Sequence, residues 1–323
     1  MKRISEVASS LISTDRLRHR CMQSIEEIAE SVLAEHPKRA RSLMEKTSSY
    51  LVHLDRGSKV LAVAHMDHVW QEQFFQKVTQ KGKSIYWFSP VLDDRIGVYT
   101  ILDLLPLLNI NVDVLLTDDE EKCQSTASSF DPKELGKDYN WIVSFDRAGN
   151  DVVTYQKDSS AWLTALDKTG FHTGWGSYSC IASLDKLDCC GVNIGTGLEA
   201  GHGPGSYIKV EGYLKNLARF TFFYRKYKDQ LFKEDRTPSE RIGGKTRFFG
   251  YDGWGEGSGW WNNRRELEGN NHVSVTPSPI PLHLNQALSE DEADIIAQIR
   301  RTEGACWKGA YVDEDSRLKD LPF

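Results

Sequence analysis

The run KVLAVA, Lys59 to Ala64, ends abruptly on His65-Met66-Asp67. Two further apolar runs behave alike: VDVLLT, Val112 to Thr117, stops on Asp118-Asp119-Glu120-Glu121, and WIVSF, Trp141 to Phe145, stops on Asp146. Helix-length segments lie between them, among them the helical pattern RIGVYTILDLLPLL from Arg95 to Leu108. Strands alternating with helices predict an α/β fold, a parallel or mixed sheet with helices on its faces. Ligands of open α/β sheets bind outside the carboxyl ends of the strands, so three parallel neighbours of this kind deliver His65, Glu120, Glu121 and Asp146 to one crevice.

Outward from these runs the pattern continues. Leu17, Cys21, Ile25, Ile28, Val32 and Leu33 recur at helical steps and end before Pro37. YLVHLD, Val152 to Tyr155 and Val192 to Ile194 read as further strands, and Val210, Leu214, Leu217 and Phe220 close the domain with a helix. The expected organisation is a helical segment over residues 1–50 packed on the domain, a catalytic domain over 51–232, and a Gly- and Trp-rich extension over 233–323 with a short helix from Ser289 to Arg301. Trp254, Trp260 and Trp261 in that extension are expected to pack on the domain or at a subunit contact rather than on a ligand.

The 323 residues, 40% of them hydrophobic, suffice for one α/β domain of roughly 200–250 residues with an appendage, which argues against a single small module. A net charge of −6 offers no footprint for nucleic acid, and no run of Lys and Arg suggests a membrane-surface arm. Neither a signal-peptide core nor a membrane span is legible, so a cytoplasmic location is expected. Cys21, Cys123, Cys180, Cys189, Cys190 and Cys306 form no C-x-x-C pair and read as free thiols of a reducing compartment. The partner expected is a small or peptidic molecule, with homo-oligomerisation left open.

Two further groups join the strand-end residues. Asp93 and Asp94 open the Arg95 helix, where capping is a sufficient reason for a carboxylate. His202 lies in the Gly-rich stretch LEAGHGPGS. Taken together, so many carboxylates at one edge repel one another unless cations sit between them. Imidazole and carboxylate donors suit zinc, with cobalt or manganese as alternatives, and a pair of metals about 3.5–4 Å apart can share one carboxylate and one water.

The segments AHMDHV, LDDRIGVY, LLTDDEE, VSFDRAG and VNIGTGLEAGHGPGSYI, in this order over roughly residues 50 to 225, resemble the zinc aminopeptidase and carboxypeptidase clan called MH. Within it the likeness is to metallopeptidase families 28 and 42, with peptidase T more distant. The resemblance implies a three-layer α-β-α sandwich with a mostly parallel central sheet, the phosphorylase/hydrolase-like zinc peptidase fold. It implies two divalent metal ions, one held by His65 and Asp146 and the other by Glu121 and His202. Asp93 would bridge them through a cis peptide to Asp94, Asp67 would bond the far nitrogen of His65, and Glu120 would be the general base. The short interval between Asp146 and His202 leaves no room for an inserted dimerisation domain and fits the aminopeptidase plan. Lys122 and Cys123 stand where the clan often has Gly, and Cys180 stands where an Asp is expected, so substrate choice is open.

Three functions are compatible with these residues. The first is a two-metal aminopeptidase, for which Asp94 or Asp151 would hold the substrate ammonium. The second is a related amidohydrolase or deacylase acting on an N-acyl amino acid or a peptide-like fragment, distinguished by its indifference to a blocked amine. The third is a non-catalytic, metal-stabilised binding protein, in which Glu120→Ala would alter nothing. His68 and His172 read as surface or packing residues.

Overall fold

The computed structural model describes residues 14–44, 49–70, 75, 77–81 and 84–237. The expected Ser289–Arg301 helix, the three tryptophans of the extension and Cys306 lie outside these residues.

Four strands buried over most of their length form the centre: β3 (Val60–His65), β6 (Asp113–Thr117), β7 (Trp141–Ala148) and β9 (Gly191–Glu199). They run parallel in the spatial order β6-β3-β7-β9, which is why their sequences are near-continuous apolar runs instead of alternating ones. The remaining strands extend this centre with antiparallel pairings: β1 (Ala40–Ser42), β2 (Val52–Leu54), β4 (Lys77–Lys81), β5 (Ser84–Phe88) and β10 (Tyr207–Lys209), with β8 (Val152–Val153) pairing β9 off the main path. The fold is α/β, its ten-stranded sheet parallel in the core and antiparallel at both edges.

The two faces are covered differently. One receives the α-helices of the described residues: α1 (Thr14–Met22), α2 (Ile25–Glu35), α3 (Leu92–Tyr99), α4 (Ser160–Asp167) and α5 (Val210–Tyr227). Their apolar residues join Val60, Ala62, Val114, Val143 and Val192 in one core. Leu61, Val63, Leu115 and Ile142 point to the opposite face, where short 3-10 turns at Thr126–Ser129 and Cys180–Ser183 supply Ala127, Cys180 and Ile181. The second outer layer is therefore thin.

The single amphipathic helix expected from Leu17 to Leu33 is broken into α1 and α2. Ser24 accepts from the Glu27 N–H at 3.1 Å while the Glu27 carboxylate accepts from the Ser24 N–H at 2.7 Å, a reciprocal cap that starts a new helix within the apolar periodicity. Helix α3 runs on through a π-helical turn, Thr100–Leu104, and a last turn at Leu105–Leu107, close to the expected span. The β4–β5 hairpin, β10 and α4 had no counterpart in the sequence reading.

Past α5 the chain returns to the sheet. Phe232 packs on Trp162 with ring centroids 5.0 Å apart, and Glu234 lies 3.3 Å from the ammonium of Lys157, both side chains fully buried. Lys157 also donates to the carbonyls of Leu184 at 3.1 Å and Leu187 at 3.0 Å. Burial pulls the Lys157 pKa down against the opposing effect of Glu234. Breaking one side of such a pair leaves a desolvated charge, so Lys157→Met is expected to cost about 3 kcal/mol, read as a lowered midpoint in urea unfolding with an unchanged slope.

Candidate metal centre

The register of the parallel strands brings the expected residues together. His65 lies opposite Thr117, and Val63 opposite Ser144, so the carboxyl ends of β3 and β6 lie side by side and β7 runs about two residues past them. His65 is the last residue of β3, Glu120 and Glu121 follow β6 in a turn, Asp146 sits in the distal half of β7, and His202 occupies the loop after β9. Asp93 enters from the start of α3, at a peptide to Asp94 that is cis, as the resemblance implies.

Asp93 lies at the middle of the arrangement. Its Oδ1 is 3.3 Å from Nε2 of His65, and its Oδ2 is 3.0 Å from Nε2 of His202. Around His65 Nε2 stand Asp146 Oδ1 at 3.5 Å and Glu120 Oε2 at 3.8 Å, while Glu121 Oε2 is 3.3 Å from His202 Nε2. Ligand atoms of His65, Asp93 and Asp146 fall within 4.8 Å of one another, as do those of Asp93, Glu121 and His202, and those of His65, Glu120 and Glu121. The first two groups share Asp93. His65 is 1% exposed and the side chain of His202 56%, so the cluster is sealed on one side and open on the other.

Asp67 orders two members at once. Its backbone carbonyl lies 3.0 Å from His65 Nδ1, its Oδ1 lies 3.3 Å from the same atom, and its Oδ2 accepts the Glu121 N–H at 3.0 Å. A carbonyl can only accept, so in the neutral ring Nδ1 carries the proton and Nε2 turns its lone pair toward the carboxylates. Asp94 behaves as the capping alternative predicts: it is fully buried, and its Oδ1 accepts the Gly97 N–H at 2.9 Å. A Cβ on Gly97 would collide with that carboxylate.

The members of the cluster shift one another's pKa values. Burial raises Glu120 to about 8, helped by Asp146, Asp93 and Glu121 against His65, and it raises Glu121 to about 7, where Asp93 adds to it. The hydrogen bond to Asp93 raises His202 to about 9. Burial opposes protonation of His65, yet Glu120, Asp146, Asp67 and Asp93 hold its pKa well above the ordinary imidazole range. Beneath the cluster Arg95 is fully buried, and burial lowers it to about 10 against the support of Cys21, Asp67 and Asp94.

Neither expected partner for a substrate ammonium stands open. Asp94 is buried, and Asp151 pairs with Arg147 through two contacts of 3.1 Å. Cys180, at the position where an Asp was expected, is buried with Sγ 3.0 Å from Thr117 Oγ1 and 3.3 Å from Ser125 Oγ. His172 is exposed and His68 half-buried. The sequence reading missed Asn193, which touches Asp146; a polar residue between Val192 and Ile194 in a buried strand was the available signal.

No family model and no curated protein matches the chain. Among solved structures it is similar to the aminopeptidase APDkam598 from the archaeon Desulfurococcus kamchatkensis, at 11% identity and a TM-score of 0.46 over 74% of this chain and 98% of that one. It is similar to the aminopeptidase PepT from Bacillus cereus at 11% identity and a TM-score of 0.42, covering 68% and 95% of the two chains. It is also similar to the TET1 peptidase of Pyrococcus horikoshii at 14% identity and a TM-score of 0.40, covering 71% and 100%. These are likenesses of outline, and the functional reading rests on the side chains above.

Among the described residues no helix is long and apolar enough to cross a membrane.

Proposed function

We propose that the chain is a two-metal hydrolase that cleaves an amide or peptide bond, with an aminopeptidase as the leading form. The observation that carries this reading is Asp93, whose two carboxylate oxygens face two different imidazoles, so that two donor groups meet at one shared residue. The donors suit divalent cations: Nε2 of His65 and Oε1 of Glu121 are buried and lack a hydrogen-bond partner among the described residues. His65, Asp146 and Asp93 would hold one ion, and Glu121, His202 and Asp93 the other, with zinc the metal favoured by imidazole and carboxylate and cobalt or manganese as substitutes.

Two such ions supply Lewis acidity that polarises a carbonyl and eases deprotonation of water. The protein's own groups do the rest. Glu120, on the His65 side of the cluster, accepts the proton of the attacking water on its carboxylate and returns it to the leaving nitrogen. Asp67 keeps His65 in the tautomer that presents Nε2 and fixes the backbone of Glu121. The exposed His202 side is the entry for substrate. The free thiols among the described residues suit a cytoplasmic setting.

Elemental analysis after dialysis against zinc, followed by aminoacyl substrates with free and with blocked amines, tests the proposal. Two equivalents per chain and turnover confined to free amines support the aminopeptidase. A deacylase is the second reading, favoured by the burial of Asp94 and the pairing of Asp151, and turnover confined to blocked amines would select it. No metal after loading would end both.

Loading also has a proton signature. Without cations Glu120, Glu121 and His202 hold protons up to about 8, 7 and 9 and His65 holds one well above the ordinary imidazole range, and ligation would displace those on Glu121, His202 and His65. Zinc uptake at pH 7 is therefore expected to acidify a weakly buffered solution, with affinity rising as pH climbs from about 7 to about 9 across those values. A pH-independent affinity, measured by chelator competition, would contradict it.

A further inference from the structure

Asp146 has a partner that the reading above does not use. Asn193 lies on β9, 1% exposed, opposite Ser144 of β7. Just beyond that pair the ladder is interrupted by a register shift between Ser144 and Arg147, and the side chain of Asn193 takes over the bonds the ladder drops. Its Oδ1 accepts the backbone N–H groups of Asp146 at 3.0 Å and Arg147 at 2.9 Å. Backbone N–H groups only donate, so these two contacts settle the orientation of the carboxamide: Nδ2 must face the other way. There it donates to Asp146 Oδ2 at 3.2 Å, with Tyr155 Oη at 3.3 Å and Ser179 Oγ at 3.2 Å as its other neighbours.

The clasp divides the two oxygens of Asp146. Oδ2 is turned toward an amide donor, and Oδ1 is left facing Nε2 of His65 at 3.5 Å. We infer that Asn193 is a positioning residue that fixes Asp146 as a one-oxygen ligand, holding its backbone and its carboxylate by the two ends of one carboxamide. This rests on the two-metal reading. An aspartate at this position would keep the acceptor for both backbone N–H groups and replace the donor with a second anion against Asp146; a leucine of similar size would remove both functions.

The test is a cobalt titration of the full chain, wild type beside Asn193→Asp and Asn193→Leu, with affinities from chelator competition and the visible spectrum of bound cobalt as readouts. The expected result is that one equivalent binds as in wild type, at the Glu121 and His202 side, while the other weakens about 10–100-fold in both variants. In the leucine variant the released Oδ2 is expected to enter the coordination sphere and lower the visible absorption of that site, a change that a loss of general stability does not produce. Should Asn193→Leu fail to fold, Asn193→Asp, which keeps both backbone contacts, carries the test. Two equivalents at wild-type affinity and with a wild-type spectrum in the variants would overturn the assignment of Asn193 alone. A wild-type chain that binds no divalent metal would overturn the two-metal reading and this inference together.

Discussion

Glu120→Gln is expected to bind two metals with wild-type stoichiometry and to lose about 10²–10⁴-fold in turnover, the scale of a lost general acid–base group. Glutamine keeps the shape and the polarity of the side chain and removes its capacity to take up and release a proton. The neighbouring Glu121→Gln should behave differently, because Glu121 Oε2 stands 3.3 Å from His202 Nε2 within a three-residue donor group. It is expected to lose metal at the exposed side before anything else. Adjacent glutamates on a turn can exchange roles with a small rotation of the backbone, and the two variants distinguish the assignments. Metal retained in Glu121→Gln and lost in Glu120→Gln would reverse them. The Glu121 N–H held by Asp67 Oδ2 favours Glu120 as the base and Glu121 as the ligand, since it leaves the turn little freedom to rotate.

Asp93→Asn is expected to have the largest effect on metal content. Every other ligand carboxylate contacts one imidazole of the pair, whereas Asp93 contacts both, so a neutral amide in its place weakens both positions together. An amide also replaces one of the two lone-pair oxygens with an NH2 group, which cannot bind a cation. Elemental analysis should find well under one equivalent after dialysis, with activity lost in proportion. His202→Ala, by contrast, should retain the ion on the buried His65 side. If Asp93→Asn kept one equivalent at full affinity, the residue would be an ordinary ligand of a single site and the shared-carboxylate reading would fail.

The central sheet was legible in the sequence because its strands are buried on both faces. KVLAVA, VDVLLT and WIVSF are short and predominantly apolar, and each gives way to polar residues at or near the carboxyl end of its strand. The placement of His65, Glu120, Glu121 and Asp146 followed from that alone. His202 and Asp93 did not: one sits in a loop and the other at a helix start, so each is a weak signal alone, and their roles came from the resemblance to known peptidase motifs. The edges were hidden for a different reason. Strands β4 and β5 pair with each other and mix exposed with buried positions, and β10, which pairs with β5, has only three residues, so none of them produces a long apolar run. The break between α1 and α2 was hidden by apolar periodicity that continues through Ser24, although the Ser24 and Glu27 pair was available as a stop-and-start signal. Asn193 escaped notice because a single polar residue in a strand says nothing about which neighbour it serves until the register with β7 is known.

The buried contact between Lys157 and Glu234 makes the residues just past α5 a necessary part of the fold. Helix α5 ends at Tyr227, and on helical content alone a cut soon after it looks harmless. Such a cut would remove Phe232 from its place against Trp162 and leave an ammonium group sealed among the carbonyls of Leu184 and Leu187 with no anion beside it. A chain that runs through Arg236, whose guanidinium lies 2.8 Å from Glu234, keeps that balance intact. The residues that finish this part of the fold thus lie beyond α5, in a segment with no helix or strand of its own.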